Sequence, residues 1–168
     1  MSVEKILTEQ EVKSLRTIGG AFLKSGVTSL DEITEPLIQE FMAALEGRKV
    51  IDFDELQQKS FMKFWPHIAI HRFEDDDFTY IFDGTHLVYN FGCERTGLKI
   101  SELPNERRKT ELYDLLRDIL TNKRPVFSKG DLNIDDRAHK TWQQVKMPLR
   151  RKGEINEVLT LIVFGSQT

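Results

Sequence analysis

The sequence has little cysteine, no long apolar run and no excess of positive charge. Its single cysteine, Cys93, cannot form an internal disulfide, and no Cys/His spacing resembles a structural zinc site. No uninterrupted apolar run approaches the ~20 residues of a membrane-spanning helix. Residues 1–20 are amphipathic and carry acidic groups, unlike a signal peptide. We therefore expect a cytoplasmic protein that does not interact with membranes.

The charge balance argues against nucleic-acid binding. The 168 residues carry 24 Lys+Arg and 27 Asp+Glu, a net charge of −3 that is poorly suited to coating a phosphate backbone. The basic clusters at 107–109 and 150–152 are short, and no aromatic ladder accompanies them to stack bases. We expect no nucleic acid among the partners.

The first third of the chain carries helical signals. Thr8 and Glu11 have the spacing of a capping box, and an apolar stripe follows at helical spacing: Val12, Leu15, Ile18, Phe22 and Leu23. A second helix is predicted over 36–45, where Pro suits the first turn. A third is predicted over 53–65, because Asp52 is a candidate cap and a proline follows the segment.

The remainder alternates between strand and helix patterns. A long helix is predicted over 106–121 from a full apolar stripe, and five segments have strand character: 67–73, 78–82, 126–134, 141–149 and 157–164. This order predicts an α+β domain with a five-stranded antiparallel sheet, helices on one face and N-terminal helices before it. We place an N-terminal helical extension at 1–35 and the domain at 36–168.

Residues 83–97 fit two local structures. Asp83-Gly84 lies between β-prone runs and is typical of a tight hairpin turn. A short helix that begins at Thr85 and stops at Gly92 fits equally well. Local rules leave both open.

At this segment the sequence resembles a PAS domain. The resemblance lies in the order of Gly84-Thr85 after a strand, Thr96-Gly97, the segment Ile100–Leu103, and Pro148-Leu149 in the fourth strand. It implies the helix at 85–91 rather than the hairpin. It also implies a non-enzymatic sensory or protein-interaction module of bacterial signal transduction, with room for a small ligand between the sheet and the 106–121 helix.

Neither flavin nor heme is expected as a cofactor. A PAS flavin photoreceptor needs a cysteine near Ile100, and Cys93 lies too early in the chain. A heme sensor needs a histidine from the long helix, and 106–121 contains none. On a strand, His67 and His71 would lie ~13 Å apart, too far to chelate one metal ion. We interpret these two, His86 and His139 as polar surface or capping residues.

Eight apolar residues are candidates for the ligand-binding site, drawn from the two later helices and the sheet: Phe91, Leu112, Leu115, Leu116, Ile119, Phe127, Trp142 and Val163. A preformed cavity lined this way would accept a small apolar or aromatic ligand. Alternatively, the same residues simply fill the core.

Two further hypotheses concern other classes of function. A small cone-shaped α+β hydrolase or isomerase would need a buried Asp/His pair, for which Asp83 and His86 are the local candidates. The apolar stripe of the first helix must also be covered, either by its own sheet or by a second copy of the chain. The PAS resemblance favours a homodimer through this helix, which would signal to an unidentified partner protein.

Overall fold

The fold is an α+β arrangement in which one open sheet carries helices on both faces. The computed structural model describes residues 5–22, 26–132 and 140–166. The α-helices are α1 (Glu9–Phe22), α2 (Pro36–Ala44), α3 (Phe53–Leu56), α4 (Thr85–Phe91) and α5 (Glu106–Asn122). The strands are β1 (Gly26–Thr28), β2 (Ile51–Asp52), β3 (Ile68–Glu74), β4 (Asp77–Asp83), β5 (Val126–Leu132), β6 (Lys140–Arg151) and β7 (Glu154–Ser166). Short 3-10 helices span Leu30–Glu32, Lys59–His67 and Ile100–Glu102.

The sheet has the order β1-β5-β6-β7-β3-β4, and β2 adds to β6 beside this path. The ladders are antiparallel except for the parallel two-residue pairing of β2 with β6. The α+β class with an antiparallel sheet is thus confirmed, and the architecture is compatible with a PAS-like fold. The sheet has seven strands rather than five because the short segments β1 and β2 also pair.

Helices cover both faces of the sheet rather than the one predicted. On β6 and β7, alternate side chains point to opposite faces. Val145, Met147 and Leu161 pack with α2 and the 3-10 helix Lys59–His67. Trp142 and Ile162 point the other way, toward α1 and α4, and Val158 on the same face packs with α5. The central strands are therefore buried on both faces.

Several local predictions are confirmed. The amide of Thr8 donates to Glu11 Oε1 at 3.0 Å and the amide of Glu11 donates to Thr8 Oγ1 at 3.1 Å, the two halves of a capping box. The ambiguous segment forms the helix α4, which ends at Gly92 with φ +70°. Its N-cap is Gly84 rather than Thr85. A Cβ on Gly84 would lie 2.5 Å from the carbonyl oxygen of Trp65, so this close approach requires glycine.

The third predicted helix is divided. Residues 53–65 form α3 and then the 3-10 helix Lys59–His67, which contains Pro66. Proline removes an amide donor and its ring clashes with the preceding turn, which disfavours a continuous α-helix. The indole of Trp65 donates to the carbonyl of Leu56 at 2.9 Å, one of the groups left free where α3 ends. Asp52 caps no helix with its side chain and instead binds Arg150 at 3.2 Å.

The helix α1 folds back over the sheet of its own chain. Its stripe residues Leu15, Ile18 and Phe22 are 7%, 5% and 4% exposed. The Ser14 hydroxyl donates to the carbonyl of Phe91 at 2.8 Å, which ties α1 to the end of α4. The helix α1 of the extension predicted at 1–35 therefore packs on the domain, and the homodimer stays a prediction. Across the described ranges, no helix combines the length and apolar character needed to cross a membrane.

Candidate functional site

A cavity lies between the sheet and the three helices α1, α4 and α5. The cavity volume is about 50 Å³. This is enough for about three to five water molecules. Strands β3, β4, β6 and β7 contribute the floor, and α1, α4 and α5 contribute the roof and walls. This is the face that the sequence predicted for a ligand, beside the long helix.

The floor of the cavity is polar although it belongs to the centre of the sheet. It carries His71, Gln144, Lys146 and Thr160. Lys146 and Thr160 are directly opposed on β6 and β7, and Thr160 is opposed to Ala69 on β3. The side-chain amide of Gln144 donates through Nε2 to Ser128 Oγ at 2.8 Å. The register therefore places a row of polar groups under the helices, where each side chain is buried.

His71 is the least satisfied polar side chain of the floor. It is 2% exposed, and neither ring nitrogen has a hydrogen-bond partner among the described residues. Its ring lies 4.0 Å from that of Tyr80, measured between centroids. Burial lowers the pKa of His71 well below its usual value, and the charges of Lys146 and Arg95 lower it further. A neutral His71 thus offers one donor and one acceptor.

Arg95 lines the cavity and forms a buried ion pair with Asp83. The Asp83 carboxylate accepts from Arg95 Nε at 2.9 Å, from Arg95 Nη2 at 2.8 Å and from the Arg95 amide at 3.0 Å. The guanidinium carbon lies 4.6 Å from the ring centroid of Tyr80 and 3.9 Å from that of Phe91. Because both Asp83 oxygens are taken by Arg95, the charge of Arg95 is compensated within the chain.

Two further basic side chains face the cavity. Lys146 is 4% exposed, and its ammonium donates to Thr160 Oγ1 at 3.0 Å. Burial lowers the pKa of Lys146 well below its usual value, and the neighbouring charges of Arg108 and Arg95 lower it further. Arg108, from the first turns of α5, is half-buried, with its guanidinium carbon 5.1 Å from the ring centroid of Phe22. In the described residues neither cation is within salt-bridge distance of a carboxylate.

The roof of the cavity is apolar. It comprises Leu15, Ile18 and Phe22 of α1 with Leu87 and Phe91 of α4. Phe22 stacks on Phe91 with ring centroids 5.7 Å apart. The cavity therefore has a cationic, hydrogen-bonding floor and an apolar roof, and α1 supplies much of that roof.

The eight predicted site residues fall in three places. Phe91 and Leu112 line the cavity. Leu116 and Ile119 are buried beside it around Phe78 and Val158, with Leu115 at the edge of that cluster, and Trp142 contacts Phe22 with ring centroids 4.5 Å apart. Phe127 and Val163 pack on the opposite face of the sheet. Strand alternation explains this, since their neighbours Ser128 and Ile162 take the cavity side.

Among the described residues, Asp83 and His86 have other neighbours than the pair that the enzyme hypothesis needs. Asp83 is bound to Arg95. The His86 ring lies next to that of His67, with ring centroids 4.2 Å apart. The expectation that each histidine is a surface or capping residue is wrong for His71. His139 lies outside the described residues. Those residues contain no group of three or more His, Cys, Asp or Glu side chains arranged to hold a metal ion.

Comparison with models of known protein families, with curated proteins and with solved structures gave no significant match for this chain.

Proposed function

We propose that the chain is a PAS-like sensory module that binds a small molecule in the cavity and transmits its occupancy through α1. The observation that carries this proposal is His71, a fully buried side chain in the cavity floor whose two ring nitrogens lack partners. Buried polar groups are nearly always hydrogen-bonded, because each unmade bond costs about 1–3 kcal/mol. A ligand or ordered water in the cavity would supply the missing partner.

The position of α1 supports the second half of the proposal. Three of its side chains, Leu15, Ile18 and Phe22, lie over the cavity, so a molecule inside contacts the helix directly. The outward face of α1 is polar and exposed, with Lys13, Arg16 and Thr17 on it. A change in the position of α1 on the sheet would move that exposed face. A signalling partner or a second copy of the chain that binds the face would respond to the change.

The polar floor favours a ligand with polar groups over the small apolar ligand predicted from the sequence. A purely apolar molecule would leave His71 unpaired and Lys146 without a counter-charge, at a continuing cost in free energy. A ligand with one polar and one apolar end fits both halves of the cavity.

The test uses a cavity-filling variant and a matched control. Ala69→Leu adds bulk to the floor, whereas Ala43→Leu adds the same bulk to an exposed position of α2. A thermal-shift screen of small acids, amides, alcohols and amines should yield compounds that stabilise the wild type and Ala43→Leu but not Ala69→Leu. Binding of such a compound should then slow the hydrogen exchange of the backbone amides of α1.

Two outcomes would contradict the proposal. If no compound stabilises the wild type more than Ala69→Leu, the cavity is not a ligand site. If compounds bind there but leave the exchange of α1 unchanged, occupancy is not transmitted through that helix.

A further inference from the structure

Basic side chains outnumber acidic ones around the cavity. Three cationic side chains line it, Arg95, Arg108 and Lys146, and the carboxylate of Asp83 compensates Arg95 alone. A buried ammonium without a counter-ion is costly, and an anion that enters the cavity relieves that cost. The charge distribution is therefore complementary to an anionic ligand.

The hydrogen-bonding groups suit a carboxylate. Lys146 makes one hydrogen bond, to Thr160 Oγ1, and an ammonium has three donors, so two remain for a ligand. The Arg108 guanidinium presents a planar fork of donors, the geometry that carboxylates match best. His71 adds one donor from its neutral ring.

The rest of the lining restricts what the carboxylate is attached to. The roof side chains Leu15, Ile18, Phe22 and Phe91 offer no hydrogen-bonding groups, so they favour an alkyl segment over a hydrated inorganic ion. The cavity volume of about 50 Å³ leaves room for only a small molecule. Acetate and propionate are small carboxylates with a short alkyl group.

We propose that the cavity binds a short-chain carboxylate, with its carboxylate held by Lys146 and Arg108 on the floor and its alkyl group under α1. This inference rests on the proposed function, because it names the chemical class of the ligand for the same cavity. His71 completes the set by donating to the second carboxylate oxygen.

The experiment measures binding by calorimetry and thermal shift on the full chain. The probes are sodium acetate, propionate and hexanoate, with propionamide as the neutral analogue and sodium chloride at equal ionic strength as the salt control. We expect acetate or propionate to bind and raise the Tm. Propionamide and chloride should not, and hexanoate should bind more weakly than propionate because it exceeds the cavity.

Two variants with matched controls identify the anion-binding groups. Lys146→Met and Arg108→Gln should each raise the Kd for propionate at least tenfold. Lys129→Met, at an exposed position of β5, and Arg107→Gln, one residue earlier on α5, should leave the Kd unchanged. Without ligand, Lys146→Met should melt at or above the wild-type Tm, because it replaces an unpaired buried charge with an apolar chain of similar length.

The outcomes separate this inference from the proposed function. If propionamide binds as tightly as propionate, or Lys146→Met keeps the wild-type Kd, the carboxylate assignment is overturned and the cavity remains a ligand site of another class. A Tm of ligand-free Lys146→Met well below that of the wild type would assign Lys146 a structural role and overturn the assignment as well. If neither these probes nor any compound of the wider screen binds, both proposals fail.

Discussion

The ion pair between Asp83 and Arg95 should show strong energetic coupling. The Asp83 side chain is 0% exposed and that of Arg95 is 8% exposed. Removing one partner of a buried pair leaves an uncompensated charge and costs about 3–5 kcal/mol. We expect Asp83→Asn to reach the upper part of this range, because it leaves a third uncompensated cation beside Arg108 and Lys146. Arg95→Met leaves the carboxylate buried with the backbone amide of residue 95 as its remaining partner in this cluster.

The double variant Asp83→Asn/Arg95→Met removes both charges together. Its loss of stability should therefore be smaller than the sum of the two single losses, with a coupling energy of about 2 kcal/mol or more. Urea denaturation followed by the fluorescence of Trp65 and Trp142 gives the free energies of unfolding. The exposed pair Arg107–Glu111, 73% and 46% exposed, is the control and should show no measurable coupling. Additive losses at Asp83 and Arg95 would refute this account of the cavity wall.

Two further predictions concern titratable groups. Burial raises the pKa of the Cys93 thiol to about 12, and the negative charge of Glu11 on α1 adds to the effect. Ellman's reagent should therefore leave the folded chain unmodified near pH 8 and react after unfolding in urea, whereas rapid reaction of the folded chain would show that α1 does not cover Cys93. Because the pKa of His71 is lowered in the fold by burial and by Lys146, Arg95 and Arg108, the unfolded chain binds a proton there that the folded chain does not. Its contribution to stability should be present above the ordinary histidine pKa of about 6.5 and decline as the pH falls below that value. His71→Gln should flatten this decline in urea denaturation at a series of pH values, and an equal decline in both proteins would contradict it.

Local signals in the sequence predicted the elements that local chemistry determines. The capping box of Thr8 and Glu11 forms as expected, and so does the short helix at 85–91 that ends at Gly92. The segment at 53–65 was mispredicted because a cap signature and an apolar face are compatible with a continuous helix. The proline and the hydrogen bond from Trp65 to the Leu56 carbonyl instead divide the segment into two helices. The second of these is a tertiary contact.

The polar floor of the cavity could not be predicted from the strand pattern alone. On β6, Gln144 and Lys146 alternate with Val145 and Met147, which is typical of a strand with one solvent-exposed face. Both residues are nevertheless 4% exposed, because helices cover that face too. The sequence did contain one relevant signal. The helices predicted before the strand at 67–73 are enough to cover a second face of the sheet. The assignment of Phe127 and Val163 to the cavity failed for the same reason, since both faces of these strands are buried.

The order in which the strands are joined has a consequence for how the chain folds. The β6–β7 hairpin closes through a two-residue turn, so its long ladder consists of local contacts and should form early. By contrast, β3 pairs with β7 across roughly 90 residues of chain, and such a long-range closure is slow because its loop entropy is lost before its contacts form. The pairing of β3 with β7 brings Ala69 and His71 beside Thr160 and Val158. We therefore expect the floor of the cavity to be completed late in folding. A molecule held across these two strands would retard unfolding while leaving the rate of hairpin formation unchanged.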